Sequence, residues 1–586
     1  MTFPAEAPFW IRAVLAWTVL GCVLRVPVSH AFVLQPRSFN GSPAPILGSL
    51  LPGAPQARAT TEQSLFRRLR RRRPAPPTAS DSSDEPQSAI PPRTPATMPA
   101  TPIVNKMESF PKEVTRLQDK PSGPPTESAA VCVIGGGVSG LTAALTAARA
   151  ADNSQSVVLL EASETLGGRV QSDVTEDGFV LDRGFAVFIE EYPAAKRLLD
   201  YDALQLGKFL PGALVKIRTR TRLAKVADPL RQPEDLLAAI AAPVGSILDK
   251  IALLPLIFTA RWKSVDALFE ERETDTLYAL QYRWGLGAGI IERFFRPFLE
   301  GIYLAPLDQQ SSRMFMFVFK MFSEGAATLP KGGMGAVAHQ LVDQAQAAGA
   351  DVRVNVPVTR IYQNDKGFLV ESLDGKTRIQ SQSVVVATDG TVAQRIVSQI
   401  NGFESLDSLP EQPQRQVGCL YYGFTGPAPV EDPILILYGG DDRGSIEAPI
   451  NNICFPSVVT DGYAPNGSNL CSVTILADAM AYYHEKEDEL DAVVRSQLAK
   501  FFPEQKENIL ARWDLKGIYD IENAQPAQLG GPMPANVNGG RDLSTYRGKD
   551  LPRGLLVCGD HMATATLNGA LESGESAGIA AVKSIA

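Results

Sequence analysis

The chain has 586 residues, 45% apolar and 20% charged, which is enough to bury a sizeable core and too mixed for a collagen-like, coiled-coil or wholly disordered protein. Six cysteines are too few for a disulfide scaffold, and no apolar run reaches the roughly 18 residues of a membrane span. The net charge of −8 joins a leader of +8 over residues 1–80 (ten arginines, no lysine, two acids) to a body of −16, which excludes general electrostatic steering toward nucleic acid.

The amino-terminal region reads as an address. Arg12 precedes an apolar run over residues 13–24, and Ser29-His30-Ala31 offers small residues around a cleavage site, so residues 1–31 have the layout of a signal peptide. Residues 32–80 open on Phe32, are rich in Ser, Pro, Ala and Arg, and nearly lack acids, as transit peptides do. The pair resembles the two-part address of plastids that lie behind extra membranes. Simple secretion and a nuclear signal in Arg70 to Arg73 are the alternatives, and Asn40 and Asn466 are glycosylation acceptors only in a secreted chain. Residues 74–129 hold 13 prolines without apolar periodicity, so 81–129 is expected to be a disordered linker and the folded part to begin near Ala130.

Val131-Cys132-Val133-Ile134 is a continuous apolar run that leads into Gly135-Gly136-Gly137-Val138-Ser139-Gly140. A helix-favouring stretch over 141–151 follows, then Val157-Val158-Leu159-Leu160 ending at Glu161. This order predicts strand, glycine turn, helix, strand. Gly135 allows the tight turn, Gly137 lets the backbone approach a pyrophosphate, and Gly140 lets helix and strand pack closely. The helix start, with Ser139 in its first turn, presents unpaired N–H groups to phosphates. Glu161 lies 21 residues after Gly140, where a carboxylate accepts from ribose hydroxyls and repels a 2′-phosphate, so NAD or FAD is expected.

The next residues separate the two. Glu161-Ala-Ser-Glu-Thr-Leu-Gly167-Gly168-Arg169-Val170 and Gly178-Phe179-Val180-Leu181-Asp182-Arg183-Gly184 resemble consecutive segments of the flavin amine oxidase and phytoene desaturase superfamily. By that resemblance the cofactor is FAD. Gly167, Gly168 and Gly184 let the backbone close over it, and Arg169 reaches its phosphates or ring; a surface ion pair is the plain alternative for Arg169. The resemblance extends unevenly over 130–586. Leu329-Pro330-Lys331-Gly332-Gly333-Met334 is similar to the family's turn back into the cofactor domain, ahead of a helix over 336–348. Period-2 alternation over 351–358 and 368–372, separated by Asn364-Asp365-Lys366-Gly367, predicts hairpin strands. In the family a backbone group near Val358 touches the adenine, and Val384-Val385-Val386-Ala387-Thr388 matches a strand ending near the FAD.

Leu555-Leu556-Val557-Cys558-Gly559-Asp560 is an apolar strand ending in Gly-Asp, followed by Thr566-Leu567-Asn568-Gly569-Ala570-Leu571-Glu572-Ser573-Gly574. The resemblance gives Asp560 to the ribityl or pyrophosphate group and adds Leu567 to the cofactor site. Asn568 is expected to cap the last helix, whose positive end would face the flavin. The fold expected is α/β, a Rossmann-type, GR2-like FAD-binding domain (130–229, 322–410 and 530–586) with an inserted α+β substrate domain (230–321 and 411–529). Its first piece is helical, with Phe294 to Tyr303 resembling the family's helix into a turn. Its second holds strand-like runs at 420–424 and 470–476, so that a sheet floor and a helical wall would cover the flavin.

No zinc pattern, P-loop, Gly-x-Ser-x-Gly elbow or Cys-x-x-Cys pair is present, so no metal is expected and disulfide exchange is disfavoured. Catalytic residues are not identified; His561 and Lys331 are candidates for contact with the flavin, each with an ordinary loop role as the alternative. No cysteine follows Asp560, so the FAD is expected to be non-covalent. Amine oxidases of the superfamily place an aromatic residue after the last strand as half of a substrate cage, whereas 554–586 contain no Phe, Tyr or Trp. Leu253-Leu254-Pro255-Leu256-Ile257-Phe258 beside Arg261-Trp262-Lys263 reads either as a peripheral membrane contact or as core of the helical domain. The leading expectation is hydride abstraction from, or redox isomerisation of, a lipophilic, carotenoid-like substrate, with a quinone or oxygen as electron acceptor. An amine oxidase making imine and peroxide, and a non-catalytic FAD-binding regulator, are the alternatives.

Overall fold

The computed structural model describes residues 121–585 apart from 153–154, 186, 228–230, 232–240 and 529–542. The signal, the transit-like segment and most of the expected linker lie outside the described residues. The linker's last residues differ from expectation. Ser122 donates its backbone N–H to Glu371 at 3.0 Å, Thr126 bonds Arg378, and the first strand already begins at Glu127. Proline density falls just there, and a β-pattern of small and apolar residues takes over.

Two seven-stranded sheets organise the described residues. The first runs in space Asp351–Arg353, Val157–Leu160, Glu127–Ile134, Arg378–Val386, Gly367–Ser372, Val358–Asn364, with Leu555–Val557 also paired to Arg378–Val386. Its four strands nearest the glycine turn are mutually parallel. Parallel strands are covered on both faces and therefore read as unbroken apolar runs. Val131 and Val133 enter one core, with the helix Val138–Ala150; Cys132 and Ile134 enter the other, with Val392 and Ile396 of the helix Gly390–Ser398. The terminal helix, Leu567–Ile585, lies on the first of these helices so closely that a Cβ on Gly574 would stand 2.2 Å from the Ser139 carbonyl oxygen.

The hairpin expectation is half right. Val358–Asn364 pairs antiparallel with Gly367–Ser372, but Asp351–Arg353 pairs in parallel with Val157–Leu160 at the sheet edge. Asn355, at φ 57°, breaks the run between them into two strands. Position along the chain also misassigned residues 212–227 to the first domain. Gly212–Lys216 pairs in parallel with Leu435–Tyr438, and Ala224–Ala227 pairs with Gly212–Lys216, so both belong to the second sheet. That sheet is otherwise built from Gln414–Thr425, Ile450–Cys454, Ser468–Leu476 and Asp514–Pro526.

The helical wall comprises Ile247–Trp262, a π-helical turn Ile291–Phe295, Arg296–Tyr303 and Ser312–Glu324. Buried Glu300, paired with Arg296 of its own helix, fastens the wall to the loop after Leu435–Tyr438 through an ion pair with Arg443, whose side chain is itself 6% exposed. A buried charge is tolerated only with such pairing. Asp182 makes a second clamp. It accepts from Ser172 Oγ at 2.6 Å, the Met334 N–H at 2.8 Å and the Tyr463 hydroxyl at 2.7 Å, and so holds the Gly333–Met334 turn on its strand. Burial nevertheless pushes its carboxyl up to about 6.

Candidate active site

The three glycines of the first turn differ in their surroundings. Gly135 has φ 106°, with the Ala387 carbonyl oxygen 2.8 Å from where a Cβ would sit. A Cβ on Gly140 would lie 1.9 Å from the Gly135 carbonyl oxygen. Gly137 is the helix N-cap at φ −72° and ψ 176°, with no side-chain cap and nothing within 4 Å of a Cβ position. Two glycines are thus demanded by the protein's own packing. The third leaves space where unpaired N–H groups converge, a cradle that fits a pyrophosphate. Gly167 donates to the Gly136 carbonyl at 2.8 Å and, with Gly168, carries positive φ, so the loop after Glu161 closes over this turn. Ser139 turns its hydroxyl inward to the Cys558 sulfur at 3.2 Å and leaves its backbone N–H to the helix start. Burial pushes the Cys558 thiol up to about 12, which removes thiolate chemistry there.

Glu161 is already engaged. One carboxylate oxygen accepts the Gly136 N–H at 2.5 Å, and the other accepts the Ser163 N–H at 2.9 Å and hydroxyl at 2.8 Å. A carboxylate offers about four acceptor positions, so bonding to both ribose hydroxyls requires Ser163 to release one. Val356 donates to the Glu161 carbonyl at 2.8 Å and Asn355 to that of Ser163 at 2.9 Å, which brings the buried start of the Val358 strand beside the ribose acid. Gly184 adopts φ 90° against Ile521 of the second sheet.

Arg169 and Asp560, 391 positions apart, form an ion pair at 2.7 Å, and Arg169 also donates to the Ala524 carbonyl at 3.1 Å. Burial opposes the charge on Arg169, but the Asp560 carboxylate outweighs it and raises the guanidinium's pKa. Arg169 thus does form an ion pair, a half-buried one, with its own side chain 30% exposed and that of Asp560 11%. His561 is 4% exposed, and neither ring nitrogen has a hydrogen-bond partner among the described residues. Burial lowers its pKa and keeps the ring neutral. Unpartnered buried nitrogens beside Asp560 are donors and acceptors awaiting a ligand, which fits a cofactor along this edge. Lys331 is exposed in its turn.

The last helix corrects one expectation. Thr566, not Asn568, caps it, accepting the Gly569 N–H at 3.1 Å, with Leu567 as the first helical residue. Asn568 is 2% exposed, and its side-chain oxygen accepts the Ala194 N–H at 2.9 Å, satisfying the start of the helix Pro193–Leu198 instead. Residues two apart at a helix start both look like caps in sequence; only packing shows which faces its own helix.

Where the wall, the second sheet and the loop before the last helix meet, a shallow cleft of about 10 Å³, room for about one water molecule, is lined among others by Tyr303, Gln310, Met314, Arg415, Gln528 and Ala565. Gln310 and Gln528 donate to the carbonyls of Ala305 and Ala563, which leaves on each a buried side-chain oxygen with no partner among the described residues. Arg415 is half-buried, bonds only Gln309 at 3.2 Å, and has no carboxylate in ion-pair range among the described residues. Burial lowers its pKa. Sequence reading missed all three, since no motif marks them and only their convergence gives them meaning.

Residues 138–578 match the family of flavin containing amine oxidoreductases. A coproporphyrinogen III oxidase of Propionibacterium freudenreichii subsp. freudenreichii is 30% identical over 195 residues, 32% of this chain and 34% of that protein, so the match spans about a third of that relative. A carotenoid 3,4-desaturase of Haloarcula japonica is 26% identical over 388 residues, 60% of this chain and 76% of that one. Putrescine oxidase with bound putrescine shares the fold, with a TM-score of 0.54 at 17% identity over 78% of this chain and 99% of its own. With three quarters of its length inside the family match and the Gly167–Arg169 loop joined to the Gly559-Asp560 segment by an ion pair, the chain belongs to the flavin containing amine oxidoreductases and is an FAD-dependent oxidoreductase.

Proposed function

We propose that this enzyme holds FAD non-covalently, takes a hydride from a lipophilic, carotenoid-like substrate and works in a plastid. The observation that carries the substrate class is the lining of the cleft. Ala565 borders it from the loop between Asp560 and the last helix, and no aromatic side chain occurs among the described residues from Gly554 onward. Tyr303, the single aromatic ring among the described lining residues, commits its hydroxyl to the Met314 carbonyl at 2.8 Å. The described lining is thus one ring short of a two-ring amine cage. The Arg415 guanidinium, without a counter-ion among the described residues, repels an ammonium and suits a neutral or oxygenated chain end. The desaturase match over most of that relative's length supports the same reading.

When bound, FAD supplies the two-electron acceptor at the substrate C–H bond, with a quinone or oxygen as the terminal oxidant. The protein's own work is positioning. The helix start at Gly137 and Ser139 takes phosphates, and Arg169 and Asp560 order the cofactor edge. In anaerobic titration, a polyene in detergent is expected to bleach the yellow FAD while putrescine does not. Bleaching by putrescine alone would replace this reading with an amine oxidase, and bleaching by neither with a non-catalytic flavoprotein. A fluorescent protein fused after residue 80 is expected in the plastid, on the leader's composition; its secretion would remove that part of the proposal.

A further inference from the structure

The helix Ile247–Trp262 turns an apolar face to water. At about 100° per residue, Ile247, Leu248, Ile251, Leu254, Phe258 and Trp262 fall within one arc of roughly 120°. They are 66, 76, 54, 43, 61 and 74% exposed. The opposite side is packed, with Leu256 and Ala260 fully buried and Lys320 Nζ, from the helix Ser312–Glu324, donating to the Ala260 carbonyl at 3.2 Å. Asp249, the helix's one acid, points inward, 7% exposed, and accepts the Ser246 and Gly287 N–H groups at 2.6 Å each. The helix is therefore apolar nearly all round, although one side faces solvent. An ordinary surface helix would carry charges there.

Cations and aromatic rings gather at the carboxyl end of this face. Phe258 stacks on Trp262 at 5.1 Å, Arg261 is exposed and Lys263 is 44% exposed. Lys263 and Arg283 share Glu271, which brings the paired rings of Tyr278 and Tyr282, 50 and 73% exposed, to the same end. Of the six side chains only Trp262 carries a hydrogen-bonding atom, its indole N–H, whereas protein–protein interfaces carry about one hydrogen bond per 100–200 Å². Apolar side chains bordered by Trp, Tyr, Lys and Arg match the acyl–headgroup boundary of a bilayer. No described helix is long and apolar enough to cross a membrane, so this one would lie in the interface plane.

We propose that the face of Ile247–Trp262 docks the protein on a lipid bilayer, with Phe258 and Trp262 at the acyl boundary and Arg261 and Lys263 against lipid phosphates. This does not depend on the substrate class, because docking is read without turnover. Flotation of the FAD-loaded full chain with phosphatidylcholine vesicles, with and without phosphatidylglycerol, tests it. The chain is expected to float with both and more with the anionic vesicles. Phe258→Glu with Trp262→Glu should lower partitioning about 100-fold, roughly tenfold for each buried ring lost, while flavin content stays unchanged. Arg261→Gln with Lys263→Gln should erase the preference for phosphatidylglycerol alone. Vesicle binding indifferent to the Phe258 and Trp262 changes would overturn the proposal. A self-association that those changes break, in a chain that does not float, would overturn it in favour of a second copy as the occupant.

Discussion

Gly137→Val is expected to give a folded, colourless protein. The residue sits at φ −72° and ψ 176°, which valine adopts readily, and nothing lies within 4 Å of its Cβ. The exchange should cost under about 1 kcal/mol of stability, chiefly from a poorer helix N-cap. Its methyl groups would fill the space over the unpaired N–H groups at the helix start. Two charge-assisted bonds lost there correspond to an FAD affinity lower by roughly 100-fold or more. Gly140→Ala should do the reverse, because its Cβ would stand 1.9 Å from a backbone oxygen. Backbone must move, and a loss of about 3 kcal/mol is expected even without cofactor. Thermal unfolding of the stripped proteins and FAD titration by fluorescence separate the two. Wild-type FAD affinity in Gly137→Val would show that phosphates bind elsewhere.

Asp560→Ala should cost both stability and cofactor. It strands Arg169, whose guanidinium is 30% exposed, without its counter-charge. Breaking a fully buried pair costs about 3–5 kcal/mol, and partial exposure of Arg169 brings the expectation to about 2–3 kcal/mol. Arg169→Met with Asp560→Ala should recover part of that loss, since no unpaired charge remains, while FAD retention stays poor. Urea unfolding of the four proteins in the cycle gives the coupling. Additive losses would mean that the 2.7 Å pair contributes nothing beyond its separate residues.

The cofactor half was legible because its signals are local. An apolar run, a glycine turn, a helix and an acid within 35 residues obey backbone sterics and strand periodicity, and the structure forms them in the same order. Expectations failed where one segment had two locally acceptable fates. Residues 351–358 alternate like one strand, but Asn355 in the left-handed region splits them, and the first piece finds a parallel partner. Asn568 has a capping residue's chemistry, yet the terminal helix rotates it toward Ala194 and leaves Thr566 as the cap.

The sequence by itself determined the family, the flavin and the likeness of both ends of the cofactor site, since each rests on short motifs. Tertiary structure decided which distant groups meet. It set Arg169 on Asp560, moved residues 212–227 into the second sheet, converged Gln310, Arg415 and Gln528 on one cleft, and left one side of Ile247–Trp262 bare. Periodicity tells which residues share a helix face but not which face another element covers. That depends on contacts hundreds of residues apart, whose partners no local pattern names.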